Sequence, residues 1–231
     1  LEQKACRGDR VDADIAQRSA AQPRIEANIV GVVSQHTIGR VDLRDSIENE
    51  WLCAQIVYYL HLPVATTEMW RFEDQKALVV TRFDRARQVG EHGQEWIARL
   101  PQEDFCQALG CPPSKKYEKD GGPGIADCMR LLAGSSDDGD RQLFAVTQLA
   151  FWLMGATDGH AKNYSIFLER GDTYITTPLY DVLSIFPYVG DGPNQFRWRK
   201  VGPAMALRSK NVRMFAQIVR ASEFAHVGVP I

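Results

Sequence analysis

The longest apolar run, residues 143–156, most constrains what this chain folds into. It reads LFAVTQLAFWLMGA and is interrupted only by Thr147 and Gln148. It is too short to span a bilayer, so it predicts a buried helix over 142–156. The segment TDGHAKN, Thr157 to Asn163, follows at once and packs an acid, a histidine, a lysine and an amide together. A polar cluster at the end of an apolar element is where a rigid scaffold presents functional groups.

The remaining pattern is mixed. Ser46 reads as an N-cap, with Glu48 and Glu50 in the first turn. Ile47, Trp51, Ile56 and Leu60 then give an apolar helical stripe to about His61, which Pro63 stops. Residues 29–33, 66–70 and 76–83 read as strands, the last two joined by a turn over 71–75. Residues 85–96 are polar and loop-like. Helices are expected over 102–109, 125–132 and 211–221, and a hairpin over 164–168 and 174–177. Residues 115–124, KKYEKDGGPG, form a loop with three glycines and a proline. Residues 1–40 carry little periodicity.

Composition narrows the function classes. Lys plus Arg is 27 against 29 for Asp plus Glu, a formal charge of -2, which argues against a strongly basic nucleic-acid binder. RWRK at Arg197 to Lys200 then reads as a solvated face. Of the five cysteines, Cys106 and Cys111 are close, with no second close pair to complete a zinc site. Residues 1–20 are charged throughout and show no secretory leader. The expectation is a cytoplasmic protein with reduced thiols and no membrane contact. Trp51, Trp96 and Trp152 are expected in the core.

Asp158 offers an acceptor for a hydroxyl proton, and Asn163 an oxygen for a hard cation. Asp181, in PLYDVLS, offers a second carboxylate to the same cation. Phosphoryl transfer needs such a set. The alternative stays open at this point: Asp-Gly is a common turn, Asn163 caps it, and Asp181 N-caps a helix at Val182.

Over residues 46–206 the chain resembles the HipA family of serine/threonine kinases, the toxin half of a toxin–antitoxin pair. The segments that carry this are SIENEW at Ser46, TRFDR at Thr81, RLPQEDFCQALG at Arg99, SKKYEKDGGPGIA at Ser114, GATDGHAKNYSIFL at Gly155 and TPLYDVLSIFP at Thr177. DxHxxN at Asp158, His160 and Asn163 is also similar to the catalytic loop of phosphatidylinositol kinases. The resemblance implies a two-lobed α+β kinase-like fold, with residues 1–84 a reduced front lobe ending in the hinge. Residues 85–231 would be the mainly helical back lobe.

It also implies roles. Asp158 matches the catalytic acid, with His160 and Lys162 near the ATP phosphates. Asn163 and Asp181 match the Mg²⁺ ligands. Thr81, Arg82, Phe83 and Asp84 match the hinge, whose backbone would bond adenine, with Asp84 at the ribose. Glu50 is the candidate partner for the nucleotide-binding lysine. The implied cofactors are ATP and Mg²⁺. The implied partners are a helix-turn-helix antitoxin of the HipB type, DNA through that antitoxin, and a protein substrate such as an aminoacyl-tRNA synthetase.

Two departures qualify this. No lysine occurs between Ala5 and Gln75, and no phosphate loop is recognisable before Ser46. Residues 1–39 do not match the front lobe, and the match fades after about Val212. A non-catalytic, antitoxin-binding lobe is therefore the alternative reading.

Overall fold

The computed structural model describes residues 41–206 in full and, beyond them, the backbone of four short strands. In chain order come β1 (Asn28–Gly31), β2 (Thr37–Ile38), β3 (Val41–Asp42), α1 (Ser46–Tyr59), β4 (Thr67–Phe72), β5 (Gln75–Thr81), β6 (Arg85–Val89), β7 (Glu95–Arg99) and β8 (Gln102–Asp104). There follow α2 (Phe105–Ala108), α3 (Ile125–Leu131), α4 (Asp140–Met154), β9 (Ser165–Leu168), β10 (Tyr174–Thr176), β11 (Leu207–Ser209) and β12 (Val212–Met214). Small antiparallel sheets and helices alternate, giving the α+β class expected. Among the described residues, no helix is long and apolar enough to cross a membrane.

One sheet has the order β1-β5-β4, with Val80 opposite both Ile29 and Thr67. The centre of β5 is buried at Ala77, Leu78 and Val79, because a middle strand is covered more completely than its neighbours. A second sheet has the order β10-β9-β8. Its core side holds Phe105, Phe144, Phe151 and Tyr164, whose ring centroids lie 5.0–6.1 Å apart. Such offset and edge contacts favour a fixed aromatic core. Tyr164 keeps its hydroxyl satisfied by accepting from Gln148 Nε2 at 2.8 Å.

Several expectations need correction. Residues 85–96 belong to the β6–β7 hairpin, paired from Arg85↔Arg99 to Val89↔Glu95. Its polar strands hid the pattern, and the Arg87–Glu95 ion pair across the ladder supports it. The 102–109 helix splits into β8 and the single turn α2. Asp104 ends the strand with a capping box: its Oδ1 accepts from Gln107 N, and Gln107 Oε1 accepts from Asp104 N. No helix starts at Val182, so Asp181 caps nothing there. Val212 to Met214 form β12 in place of the start of a helix, and the rest of the 211–221 expectation lies outside the described residues. Trp96 is 55% exposed on the hairpin.

Helix α1 also turns a different face inward. Its buried residues are Ser46, Ile47, Asn49, Cys53, Ala54 and Val57, while Ile56 and Leu60 face solvent. Asn49 fixes this rotation through bonds described below. The helix begins after Asp45, one residue before the expected cap position. Helix α4 is apolar on two faces: Phe144, Thr147, Ala150 and Phe151 are buried, and Leu143 and Met154 pack against the core at its edge. Val146, Leu149 and Leu153 stay exposed.

Asp140 joins the start of α4 to the second sheet. It is 1% exposed, and its carboxylate accepts from Thr176 N at 2.8 Å, Thr176 Oγ1 at 2.6 Å and Ser135 Oγ at 2.6 Å. Removing it strands these three half-buried donors. Asp140→Ala is expected to lower the unfolding free energy by about 3 kcal/mol in urea titration. A loss below about 1 kcal/mol would contradict this assignment.

Candidate active site

Helix α4 ends because Gly155 takes the left-handed conformation, at φ 64°. Its N–H and that of Ala156 return to Trp152 O and Phe151 O. A side chain at 155 would be strained by that φ and would press on the Phe186 ring. The chain then makes a tight turn in which Asp158 O accepts from His160 N at 2.8 Å and from Asn163 Nδ2 at 2.9 Å. Gly159 lies against Phe151, where a Cβ would come within 2.7 Å of the ring. These contacts leave the Asp158 side chain 52% exposed and His160 almost wholly buried.

Asp181 reaches the same place from the second sheet. Thr177 N donates to Ser165 O at 3.0 Å, and Leu179 bonds Pro63 and Ala65 on its far side. The chain passes Asp181 in the left-handed region, at φ 56°, which an aspartate tolerates better than most residues. Ser184 then closes the path. Asn49 Nδ2 donates to Ser184 O at 2.7 Å, Ser184 N donates to Asn49 Oδ1 at 3.2 Å, and Ser184 Oγ donates to Met154 O at 2.7 Å. Ile185 N donates to Gly155 O at 2.8 Å. Helix α1, the end of α4 and the Asp181 segment are thereby held as one unit.

A cavity of about 180 Å³ lies there, lined by Glu50, Ala54, Val64, Ala65, Thr67, Val80, Tyr180, Asp181 and Val182. Its lining is mostly apolar, with the polar groups of Glu50, Asp181, Thr67 and Tyr180. Burial pushes Glu50 up to about 7, and the Asp181 charge adds to this. Asp181 reaches solvent, yet the cleft walls strip much of its hydration and raise its pKa. The Asp158 carboxylate raises it further, against His160, Lys116 and Asn163. Burial holds His160 below its ordinary value, hence neutral, against the pull of Asp158. Neither of its ring nitrogens has a hydrogen-bond partner among the described residues, and Nε2 stands 3.9 Å from Asp158 Oδ1. Two such buried polar atoms call for a polar ligand.

The remaining expected residues separate into two groups. Thr81 ends β5, and its N–H donates to Thr66 O at 2.9 Å. Phe83 packs on Tyr180 and Phe167, at 5.6 and 5.7 Å between centroids. None of the loop and turn bonds among the described residues uses the backbone N–H or C=O of Arg82 or Phe83. Asp84 is different. It is 2% exposed, and its carboxylate is held by Arg82 Nε at 2.6 Å and by the Arg85 guanidinium. Burial pushes Asp84 up, but the two arginines outweigh it and hold it below the usual carboxylate range. Its oxygens are committed to anchoring the hinge. Lys162 likewise is turned to Asp104 Oδ2 at 2.7 Å, and that bond raises its pKa. The cation that both His160 and Asp181 feel is Lys116.

Spacing did not single out Tyr117. Its hydroxyl donates to Asp158 Oδ1 at 2.5 Å, and its ring meets His160 edge-on at 5.0 Å. Tyr117 lies 41 positions before Asp158, so only the three-dimensional fold reveals the contact. Among the described residues, no three His, Cys, Asp or Glu side chains form a metal cluster. An amide oxygen with one or two carboxylates is nevertheless a hard-oxygen set of the kind Mg²⁺ accepts beside water and phosphate. The mutual repulsion of Asp158 and Asp181 is relieved by a cation between them, so the residues present fit that ion.

Comparison with known proteins identifies the family. The sequence profile of the HipA-like C-terminal domain matches residues 19–228, further at both ends than the segments named above. A putative kinase of Sinorhizobium fredii, Y4mE, is 36% identical over 143 residues, which is 61% of this chain and 33% of that protein. The serine/threonine-protein kinase toxin HipA of Shewanella oneidensis is 31% identical over 173 residues, covering 67% of this chain and 38% of that protein. The chain thus spans about a third of the length of these curated relatives. The solved complex of Shewanella oneidensis HipA with HipB and operator DNA superposes with a TM-score of 0.61. That match has 23% identity and covers 84% of this chain and 53% of the solved one. The fold is that of a HipA-like kinase, and by its sequence the chain belongs to the HipA-like C-terminal domain family.

Proposed function

We propose that this chain is the catalytic part of a serine/threonine protein kinase that binds Mg·ATP and phosphorylates a protein hydroxyl. The observation that carries the reading is the convergence of Asp158, His160, Asn163 and Asp181 beside an apolar cavity bordered by the end of β5. Adenine fits the cavity between Val64, Ala65, Val80 and Tyr180. The backbone groups of Arg82 and Phe83 are available to its edge. Residues 1–84 and 85–231 serve as the two lobes around it.

Asn163 and Asp181 are the residues that would hold Mg²⁺, which neutralises charge between the phosphates when bound. His160, neutral and buried, offers an N–H to a phosphate oxygen. Asp158 would orient the acceptor hydroxyl and take its proton as the new P–O bond forms and the γ-phosphorus bond to the ADP oxygen breaks. The Tyr180 hydroxyl donates to Lys162 O at 2.8 Å and so fixes the turn that carries Asn163. Asp84 and Lys162 act by positioning, through the arginine clamp and the α2 cap respectively.

The family resemblance extends the proposal to a toxin of a toxin–antitoxin pair, working in the cytoplasm. Its partner would be a helix-turn-helix antitoxin of the HipB type, which brings DNA near only indirectly. The substrate would be a component of translation such as an aminoacyl-tRNA synthetase. The test is transfer of labelled γ-phosphate from ATP to protein. Asp158→Asn is expected to cut the rate by at least about 100-fold while leaving Mg·ATP affinity within a few-fold. Equal rates in both proteins would contradict the assigned role.

One observation favours the second reading, a non-catalytic antitoxin-binding lobe. Among the described residues no cation pairs with Glu50, and Lys76, the first lysine after Lys4, pairs with Glu48 instead. The sign of a pH effect separates the cases. A carboxyl raised to about 7 in the folded chain keeps its proton where the unfolded chain has lost it. Its ionisation therefore lowers stability as pH rises from about 4.5 to about 7. Glu50→Gln should then stabilise the protein by about 1–2 kcal/mol at pH 8, after discounting for partial solvation, and leave it unchanged near pH 4. Destabilisation at pH 8 would show that a cation does face Glu50, as an active kinase requires.

A further inference from the structure

We propose that the Tyr117 hydroxyl occupies the place of the acceptor hydroxyl, so that a substrate must displace it from Asp158 before phosphoryl transfer. This rests on the kinase reading above, because it takes Asp158 as the group that receives the acceptor's proton. The phenol O–H points at Asp158 Oδ1 from 2.5 Å, the arrangement an acceptor serine or threonine adopts toward its base. The contact is built from several sides. His160 meets the ring edge-on at 5.0 Å, and the ammonium groups of Lys116 and Lys119 stand 5.0 and 5.2 Å from its centroid.

The loop behind Tyr117 is anchored separately. Glu118 is buried, and its Oε2 accepts from Ala206 N at 2.5 Å. Gly122 N donates to Tyr117 O at 3.0 Å, and a Cβ at Gly122 would overlap Lys115 O. The loop backbone is thus held by bonds that do not involve the Tyr117 hydroxyl. On this proposal a rotation of the Tyr117 side chain would be enough to free Asp158. The tyrosine therefore competes with substrate hydroxyls, and with water, for one carboxylate oxygen.

Tyr117→Phe removes the competing hydroxyl and keeps the ring contacts. Slow ATP hydrolysis reads the effect without a known substrate. Water attacks the γ-phosphorus, the bond to the ADP oxygen breaks, and the water's proton passes to Asp158 and then to solvent. Mg·ATP binding is measured in parallel by equilibrium dialysis. The expected result is unchanged binding with hydrolysis raised about tenfold, the rate equivalent of one hydrogen bond to a charged group. The gain should vanish in the Tyr117→Phe, Asp158→Asn double variant. Bound nucleotide with hydrolysis unchanged or lowered overturns the proposal and leaves the kinase reading standing. Absence of Mg·ATP binding in both proteins overturns the kinase reading, and the proposal with it.

Discussion

The site depends on the hydrogen bonds of Ser184. One residue bonds the Asn49 side chain on α1 through its backbone and the last turn of α4 through its hydroxyl. Asn49 lies 135 positions before Ser184 and Met154 lies 30 before it. Burying an amide such as Asn49 is costly unless its donors and acceptor are met, and Ser184 meets both ends. The rotation of α1 follows from that requirement, and with it the placement of Glu50 at the cavity. The direction in which the chain enters Asp181 follows as well.

On this scaffold the charges are arranged at a cost. Glu50 and Asp181 line one cavity, with Asp158 near Asp181, and burial and a neighbouring acid raise the pKa values of Glu50 and Asp181. An arrangement that raises carboxyl pKa values in the free protein is suited to accept a cation, because ion binding relieves the repulsion. The arginine clamp on Asp84 and the Lys162–Asp104 pair are the reverse. Their charges are already compensated by partners within the chain. On the proposed reading, electrostatics divides the polar residues of the family motifs into those that would face a ligand and those that hold the frame.

Legibility in the sequence followed the range of the interactions. The end of α4 and the TDGHAKN turn were readable because capping glycine, apolar run and polar cluster are all local. The β9–β10 hairpin was readable for the same reason. The β6–β7 hairpin was not, since RARQV and EWIAR lack the apolar alternation of a half-buried strand. The inward face of α1 was misread because a buried asparagine, not an aliphatic stripe, sets it. Asp181 lies near Asn163, but its left-handed backbone conformation leaves no pattern in the sequence. The contacts of Tyr117 and Lys162 join distant segments, of which spacing carries no trace, whereas the arginines that hold Asp84 are its near neighbours in the chain.

The central claim is that Asp181 and Asn163 hold a cation against a nucleotide in the cavity beside β5. Calorimetric titration of Mg·ATP into the chain and into its Asp181→Asn variant tests this most directly. The account predicts saturable binding that weakens at least about tenfold in the variant, and equally weak binding by both proteins when Mg²⁺ is withheld. Equal affinity of both proteins for Mg·ATP would contradict it.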